Sequence, residues 1–147
     1  MALFGALKLI LGNRLLFQLG QRVIGHLALA VGGAVERLIV RDSVAFFRAD
    51  AACRSKIGIA PVRAKPVLGS WDAQNGVLTI VRFSFDRKAE DYVNSLWKLQ
   101  DNPYGGDAAN SYNDGPPSPG AKPLGPFYEI ESSSPAAALA PAASLEH

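Results

Sequence analysis

Cysteine and histidine are scarce in this sequence, and their scarcity excludes several kinds of chemistry. The single cysteine, Cys53, excludes an internal disulfide framework and leaves the redox compartment open. We interpret Cys53 as a packing residue rather than a nucleophile, because the nearest histidine along the chain, His26, lies in a segment of different character. His26 and His147 are the only histidines, and nothing in the chain resembles a Ser-His-Asp set.

Clustered charge and long apolar runs are also lacking. The 15 basic residues form no run and the net charge is +2, so the sequence predicts no nucleic-acid partner. The uncharged run from Val23 to Val35 is shorter than the roughly 20 residues that span a bilayer. A signal peptide is not convincing either, because Lys8 interrupts the first apolar run. We therefore expect no membrane-spanning helix, and the sequence leaves the localisation open.

The sequence has no recognisable metal or cofactor motif. The acidic residues of 102–122 are spaced like turn residues, and they do not follow the Asp-x-Asp-x-Asp pattern of a calcium loop. No glycine-rich phosphate loop follows a predicted strand. The sequence therefore predicts neither a metal site nor a cofactor.

Residues 1–36 form an apolar segment whose spacing favours a helix. The residues that fall on one helical face are Leu15, Leu19, Val23 and Leu27. Asn13 is a candidate N-cap, and Gly32-Gly33 is a candidate stop. We predict one or two helices here and leave three interpretations open. The segment is a helix that covers the open face of a sheet, a helix on a membrane surface, or a leader that is not native to the protein.

From residue 37 to residue 147 the pattern changes to that of an antiparallel β domain. Alternating β-branched and aromatic residues predict strands at Leu38–Val40, Val44–Arg48, Lys56–Ile59, Ala64–Trp71, Gly76–Phe85, Tyr92–Gln100 and Phe127–Ser132. Asn75-Gly76 supplies the positive φ values of a tight hairpin turn. Residues 102–122 are instead dense in Gly, Pro, Asn and Asp. We predict a long loop there, because the phrase NSYNDGP, from Asn110 to Pro116, has the chemistry of turns.

The most distinctive stretch runs from Leu124 to His147. In its predicted strand, Phe127, Glu129 and Glu131 share one face. Two carboxylates on one strand face must be solvated, paired with a cation or used for chemistry. A proline-rich connection follows, and Ser144 to His147 is predicted to begin a further strand.

This order of features resembles the end of the galactose mutarotase (aldose 1-epimerase) superfamily, whose members are large antiparallel β-sandwiches that handle sugars. Ile130-Glu131-Ser132 stands where that superfamily has the hydrophobic-Glu-Thr strand that supplies its catalytic carboxylate. Ala140-Pro141-Ala142-Ala143 stands where it has a turn before the last strand. The phrases from Asn94 to Pro116 and from Leu124 to Pro135 resemble an uncharacterised bacterial family of this superfamily. The resemblance implies a mainly β fold, a partial sandwich preceded by the N-terminal helices, and a sugar ligand.

The resemblance also implies a site. Glu131 takes the position of the catalytic base. The residues themselves add candidates for sugar binding: Asp107, Asn110, Asn113 and Asp114 as hydrogen-bond partners of hydroxyls, Tyr112 as a ring that stacks on the sugar, and Glu129 on the same strand face as Glu131. A mutarotase also needs an acid, which is a histidine in that superfamily, and neither His26 nor His147 matches its position. The sequence therefore leaves open whether the protein is an enzyme. The alternative for Glu131 is a solvated strand carboxylate paired with Arg82 or Lys98.

A second function stays open beside sugar binding. A partial sandwich leaves sheet edges and an apolar face uncovered, and these must be paired or hidden. We therefore expect a homo-oligomer, and a structural or oligomerisation module without a small-molecule site is the rival hypothesis. The ending Leu145-Glu146-His147 also matches the first residues of a common vector-encoded tag.

Overall fold

The structure is a computed structural model, which describes residues 14–19, 27–30, 37–95 and 99–147. This part of the chain contains nine β-strands and no α-helix. They are β1 (Arg14–Leu19), β2 (Leu27–Ala30), β3 (Leu38–Arg41), β4 (Val44–Arg48), β5 (Ser55–Ile59), β6 (Ala64–Asp72), β7 (Val77–Arg82), β8 (Ala109–Asn113) and β9 (Tyr128–Ser132). The prediction of a mainly β, antiparallel fold is confirmed.

The strands form two sheets. A five-stranded sheet has the order β3-β4-β1-β6-β7, and a four-stranded sheet has the order β2-β5-β8-β9. Every neighbouring pair of strands is antiparallel. In the four-stranded sheet, β8 lies between β5 and β9, although about fifty residues separate β5 from β8 along the chain.

Local turn chemistry explains the two hairpins of the five-stranded sheet. Between β3 and β4, Asp42 and Ser43 have φ values of 48° and 63°. Between β6 and β7, the Asp72 carboxylate accepts hydrogen bonds from the amides of Gln74 and Asn75 at 2.9 and 3.2 Å. Gly76 then has a φ of 69°, which favours glycine. The turn predicted at Asn75-Gly76 is confirmed, although only Gly76 of the two has a positive φ, because this turn depends only on neighbouring residues.

The core lies between the two sheets. Phe47 of β4 and Leu68 of β6 are buried there with Ile57 of β5. Tyr128 of β9 packs against the same cluster, and its hydroxyl lies 2.5 Å from the Ser70 hydroxyl of β6, which joins the sheets by a hydrogen bond. One face of the four-stranded sheet therefore faces the core. Its other face, which we call the outer face, points away from the five-stranded sheet.

The N-terminal helix prediction is wrong for the residues that the structure describes. Leu15 and Leu19 lie in β1, which pairs with β4 on one side and β6 on the other, and Leu27 lies in β2, which pairs with β5. A short apolar run fits the helical and the strand period, and sheet pairing with distant segments decides between them. Val23 and the rest of 1–36 lie outside the described residues. In the described ranges no helix is long and apolar enough to cross a membrane.

Two further strand predictions are wrong. Tyr92 makes only a single bridge to Gly105, and residues 93–95 and 99–100 belong to no strand, while 96–98, with Trp97 and Lys98, lie outside the described residues. This bridge is parallel, and the Asn94 amide adds a hydrogen bond to the Pro103 carbonyl at 2.8 Å. Ser144 to His147 is irregular. The predicted turn before it is present, with the Ala143 amide 3.0 Å from the Ala140 carbonyl.

The long loop predicted at 102–122 contains strand β8. All five residues of β8, Ala109 to Asn113, are buried, although three of them are Asn or Ser. Their polar composition indicated turns because such side chains usually bond their own backbone. Here the Ser111 hydroxyl donates instead to the Glu129 carbonyl of β9, at 2.5 Å. The loop prediction is therefore wrong for Ala109–Asn113, because these partners come from elsewhere in the chain, whereas the rest of 102–122 forms no named strand or helix.

Candidate functional site

The register of the four-stranded sheet collects polar side chains on its outer face. Across the sheet, Lys56 pairs with Tyr112 and Tyr112 with Glu129. In the next row on this face, Gly58 pairs with Asn110 and Asn110 with Glu131. The intervening residues, such as Ile57 and Ile130, pack in the core, so strand alternation directs both rows to the outer face.

Asp107 joins these rows from the segment before β8. A Cβ atom at Gly58 would overlap the Asp107 carboxyl group, which therefore lies directly over the glycine. Only 9% of Asp107 is exposed. Burial raises the pKa of Asp107 to about 6, and the nearby Lys56 charge opposes that shift. A carboxyl group with this pKa exchanges protons readily near neutral pH, which is a property of functional sites.

Glu131 is the most accessible carboxylate of its row, with 38% of its side chain exposed. Its Oε1 atom lies 3.8 Å from Nζ of Lys56. The ion pair is therefore made with a cation of β5, and not with the predicted Arg82. The predicted alternative, Lys98, lies outside the described residues.

Asn110 provides an unsatisfied acceptor between the two carboxylates. It is 1% exposed, and its Oδ1 atom accepts no hydrogen bond from any described residue. A buried amide oxygen without a donor costs about 1–3 kcal/mol of stability. Such a group calls for a specific explanation, and a hydrogen-bond donor on a ligand is one.

A pocket of about 480 Å³ adjoins the two rows. It is lined by Arg54, Lys56, Tyr112, Leu124, Phe127 and Glu129. The Tyr112 and Phe127 rings meet at a centroid distance of 5.8 Å and an angle of 53°, so they form one aromatic wall. The volume of the pocket falls within the range of small-molecule sites, about 300–1,000 Å³.

Asp114 fixes the position of the Tyr112 ring in this aromatic wall. It is fully buried and accepts hydrogen bonds from the Tyr112 hydroxyl at 2.5 Å and the Gly125 amide at 2.7 Å. Burial raises the pKa of Asp114, but the hydrogen bonds from Tyr112, Gly125 and Gly115 and the Arg54 charge outweigh it, so the pKa falls to about 2. Burial, and then the Asp114 carboxylate, raises the pKa of Tyr112. Asp114 is an ionised structural group that holds Tyr112 in place.

Asn113 lies on the core face of β8. Its Oδ1 accepts from the Ala51 amide at 3.0 Å, and its Nδ2 donates to the Cys53 carbonyl at 2.7 Å. The structure thus brings together the predicted site residues Glu131, Asp107, Asn110, Tyr112 and Glu129. It places Asn113 and Asp114 in the supporting framework.

Sequence reasoning missed Arg54, Lys56 and Gly58. The strand Ser55–Ile59 reads SKIGI, and its alternation places Lys56 and Gly58 opposite Ile57 and Ile59. That signal was available, because a lysine within a buried apolar strand requires a partner. Arg54 has no such local signal, since its partner Asp114, 3.5 Å away, follows the neighbouring strand β8, which comes much later in the chain.

A mutarotase of the superfamily described above has a histidine close to its catalytic glutamate. In the described part of the chain, no histidine lies next to Glu131. His147 lies 2.9 Å from the Ser132 hydroxyl and 5.8 Å from the Phe83 ring, on the other side of β9 from Glu131. His26 lies outside the described residues. Within those residues, no cluster of three or more His, Cys, Asp or Glu side chains could hold a metal ion.

These features define an antiparallel β protein with a partly buried polar face and an adjoining aromatic pocket. The chain belongs to a family of unknown function, DUF6786, whose family model matches residues 33–147. No curated protein and no solved structure matches the chain significantly. Any activity must therefore be argued from the site itself.

Proposed function

We propose that the outer face of the four-stranded sheet binds a carbohydrate, with Glu131, Asn110 and Asp107 as the groups that meet its hydroxyls. The observation that carries this proposal is the unsatisfied Asn110 acceptor, 1% exposed, in the same row as two carboxyl groups. All three groups accept hydrogen bonds, and a sugar presents a ring of hydroxyl donors. Neighbouring strands lie about 4.8 Å apart, so the row spans about 10 Å, enough for the hydroxyls of one sugar ring.

The adjoining pocket matches the apolar face of a sugar ring. A pyranose has an apolar face of C–H groups, which packs on aromatic rings. Tyr112 and Phe127 supply such rings on the pocket wall. Asp114 holds the Tyr112 hydroxyl, so the ring is preorganised and loses little freedom when a ligand binds.

The site also supports the proton transfers of mutarotation. Glu131 takes the proton of the anomeric hydroxyl, and Asp107 gives a proton to the ring oxygen as the bond between that oxygen and the anomeric carbon breaks. Closure on the other face of the carbonyl reverses both transfers. Asp107 suits the role of acid because its pKa of about 6 leaves part of it protonated at neutral pH.

The test is proton NMR of the folded protein with a panel of aldoses. We expect saturation transfer to a sugar, and Glu131→Gln should weaken binding at least tenfold, because a hydrogen bond to a charged group contributes about 1.5–3 kcal/mol. Exchange between anomers is recorded in the same samples. The matched control is Glu90→Gln, an exposed residue outside the site, which should change nothing. A folded wild type that shows no transfer across the panel contradicts the proposal.

Self-association is a second candidate, favoured by β7. This strand is at the edge of the five-stranded sheet among the described strands, and Val77, Leu78 and Ile80 are 52%, 36% and 52% exposed. Edge strands with apolar side chains and unpaired backbone groups tend to pair with another chain. We propose that β7 pairs with β7 of a second copy.

For this candidate, sedimentation velocity should show a dimer of the wild type and a monomer of Ile80→Lys. In an antiparallel pair centred on this strand, the two introduced charges lie close together and repel each other. Val62→Lys is the control, because Val62 is 88% exposed in a turn away from this edge. A monomeric wild type at high concentration rejects the pairing without affecting the sugar site.

A further inference from the structure

A third row of side chains continues the outer face beyond the two polar rows. We name the rows by their central residues: the Asn110 row, the Tyr112 row and the Asp114 row. Phe127 comes directly before β9, and its carbonyl accepts a hydrogen bond from the Asp114 amide at 3.1 Å, so the pairing of β8 with β9 continues by one residue. Arg54 comes directly before β5 and forms an ion pair with Asp114 at 3.5 Å. The Asp114 row therefore runs from Arg54 to Phe127 on the same face as the Tyr112 row.

The pocket lies over the Tyr112 and Asp114 rows. Five of its six described lining residues come from these two rows: Lys56, Tyr112, Glu129, Arg54 and Phe127. The sixth, Leu124, is 74% exposed and extends the apolar wall at the rim of the pocket. The Asn110 row, with its unsatisfied amide oxygen and Glu131, lies beyond the pocket. The hydrogen-bonding part and the apolar part of the proposed site are therefore separate places on one face.

These two parts are too far apart for one sugar ring. Asn110 and Asp114 are four residues apart along one extended segment, and each residue advances the chain by about 3.3 Å, so their rows lie about 13 Å apart. The Tyr112 row lies midway between them. A ligand that bonds Asn110 and also packs on Phe127 must extend along the strands over this length. Two linked pyranose rings cover that distance, and one ring does not.

The charged groups around the pocket call for no charged ligand. Lys56 lies 3.8 Å from Glu131, and Arg54 pairs with the buried Asp114. Glu129 is exposed at the pocket and is an acceptor for hydroxyl groups. A neutral sugar ring suits these surroundings, because its C–H face packs on the aromatic wall while its hydroxyls donate to Glu129.

We propose that the ligand is a neutral oligosaccharide, whose reducing-end ring lies over the Asn110 row and whose next ring lies on Tyr112 and Phe127. The inference rests on the proposed carbohydrate site and names its substrate class. The reducing end is assigned to the Asn110 row because Glu131, in that row, is proposed to act on the anomeric hydroxyl. The second ring meets a surface that is already rigid, since Asp114 holds the Tyr112 hydroxyl.

The experiment measures affinity against the number of sugar rings, by saturation-transfer NMR and calorimetry on the full chain. Glucose is compared with maltose and cellobiose, galactose with galactobiose, and mannose with mannobiose. We expect at least one disaccharide to bind at least tenfold tighter than its monosaccharide, because the second ring buries apolar surface on the aromatic wall.

Variants of the pocket locate the second ring. Phe127→Ala should remove most of the gain and leave the affinity for the monosaccharide unchanged, whereas Phe127→Tyr should keep the gain. Phe46→Ala is the matched control, because Phe46 is also half-buried but lies on β4 in the other sheet, and it should change neither affinity. Leu124→Ala, at an exposed position, should lower the gain without disturbing the fold.

The outcomes separate this inference from the one on which it rests. Equal affinities for every disaccharide and its monosaccharide overturn the two-ring inference and leave the carbohydrate site standing. Absence of binding by every sugar to the folded protein overturns both. If Phe127→Ala weakens the binding of monosaccharide and disaccharide equally, a single ring lies on the pocket wall and the two-ring arrangement is wrong. If Phe127→Ala does not fold, Leu124→Ala decides, because a gain that it leaves unchanged overturns the placement of the second ring in the pocket.

Discussion

Replacing Asp107 by asparagine is expected to stabilise the fold at pH 8 by up to about 3 kcal/mol. Asp107 is 9% exposed, and burial raises its pKa from 3.8 to about 6. That increase corresponds to about 3 kcal/mol at 1.36 kcal/mol per pH unit. Asparagine has nearly the same shape and carries no charge, so it removes the cost of a buried carboxylate at high pH.

The sign of the pH dependence follows from the raised pKa. A carboxyl group that binds its proton more tightly in the folded state contributes its full stability below pH 3.8, and the contribution is lost as the pH rises through about 6. Urea unfolding at pH 4.5 and pH 8 should therefore show a larger benefit of Asp107→Asn at pH 8, because pH 4.5 lies near the start of the range over which the contribution is lost. Asp101→Asn, at an exposed position, should change neither. A loss of stability of Asp107→Asn at pH 8 would show that the ionised carboxylate is well paired.

Because the ionised carboxyl group of Asp107 lowers the stability of the fold, its presence indicates a functional role. Natural proteins retain such groups mainly at sites where binding or proton transfer needs them. The same substitution should then weaken sugar binding, since Asp107 lies over Gly58 at one end of the proposed binding row. Asp114 behaves in the opposite way: its pKa of about 2 means that its stability is present above pH 3.8 and is lost as the pH falls towards 2.

The sequence correctly predicted the strands that are specified by residues close together in the chain. The hairpin from Ala64 to Arg82 follows from alternation and from the Asn75-Gly76 turn, and the structure has both. Strand β1 could not be predicted in this way. Its leucines fit a helix as well as a strand, and the choice depends on β4 and β6, which come later in the chain.

The candidate site, too, could be predicted only where its residues depend on local patterns. Glu129 and Glu131 share a strand face, which the alternation of β9 predicts. Asp107 and Asn110 were expected on a loop and instead lie beside and within a buried strand. Lys56 could be predicted only as a lysine in need of a partner, because the identity of that partner depends on the order of strands in the sheet.

Asn113 is expected to be essential for the fold and dispensable for the ligand. It is fully buried, and its amide group bonds the Ala51 amide and the Cys53 carbonyl, more than sixty residues away in the first case. Ala51 has a φ of 53°, an unfavourable conformation for alanine that these bonds hold in place. Asn113→Ala should cost about 3–5 kcal/mol, because it leaves two buried backbone groups unpaired and opens a cavity.

The measurement is urea unfolding of Asn113→Ala beside Asn75→Ala, a control in an exposed turn that should cost under about 1 kcal/mol. Sugar binding by the folded fraction supplies the second readout. If Asn113→Ala keeps its affinity per folded molecule, Asn113 belongs to the framework, and the ligand is bound only from the outer face. If stability is unchanged and binding disappears, Asn113 is a ligand contact. The core face of β8 would then be part of the site, and the division of the sheet into a structural face and a binding face would be wrong.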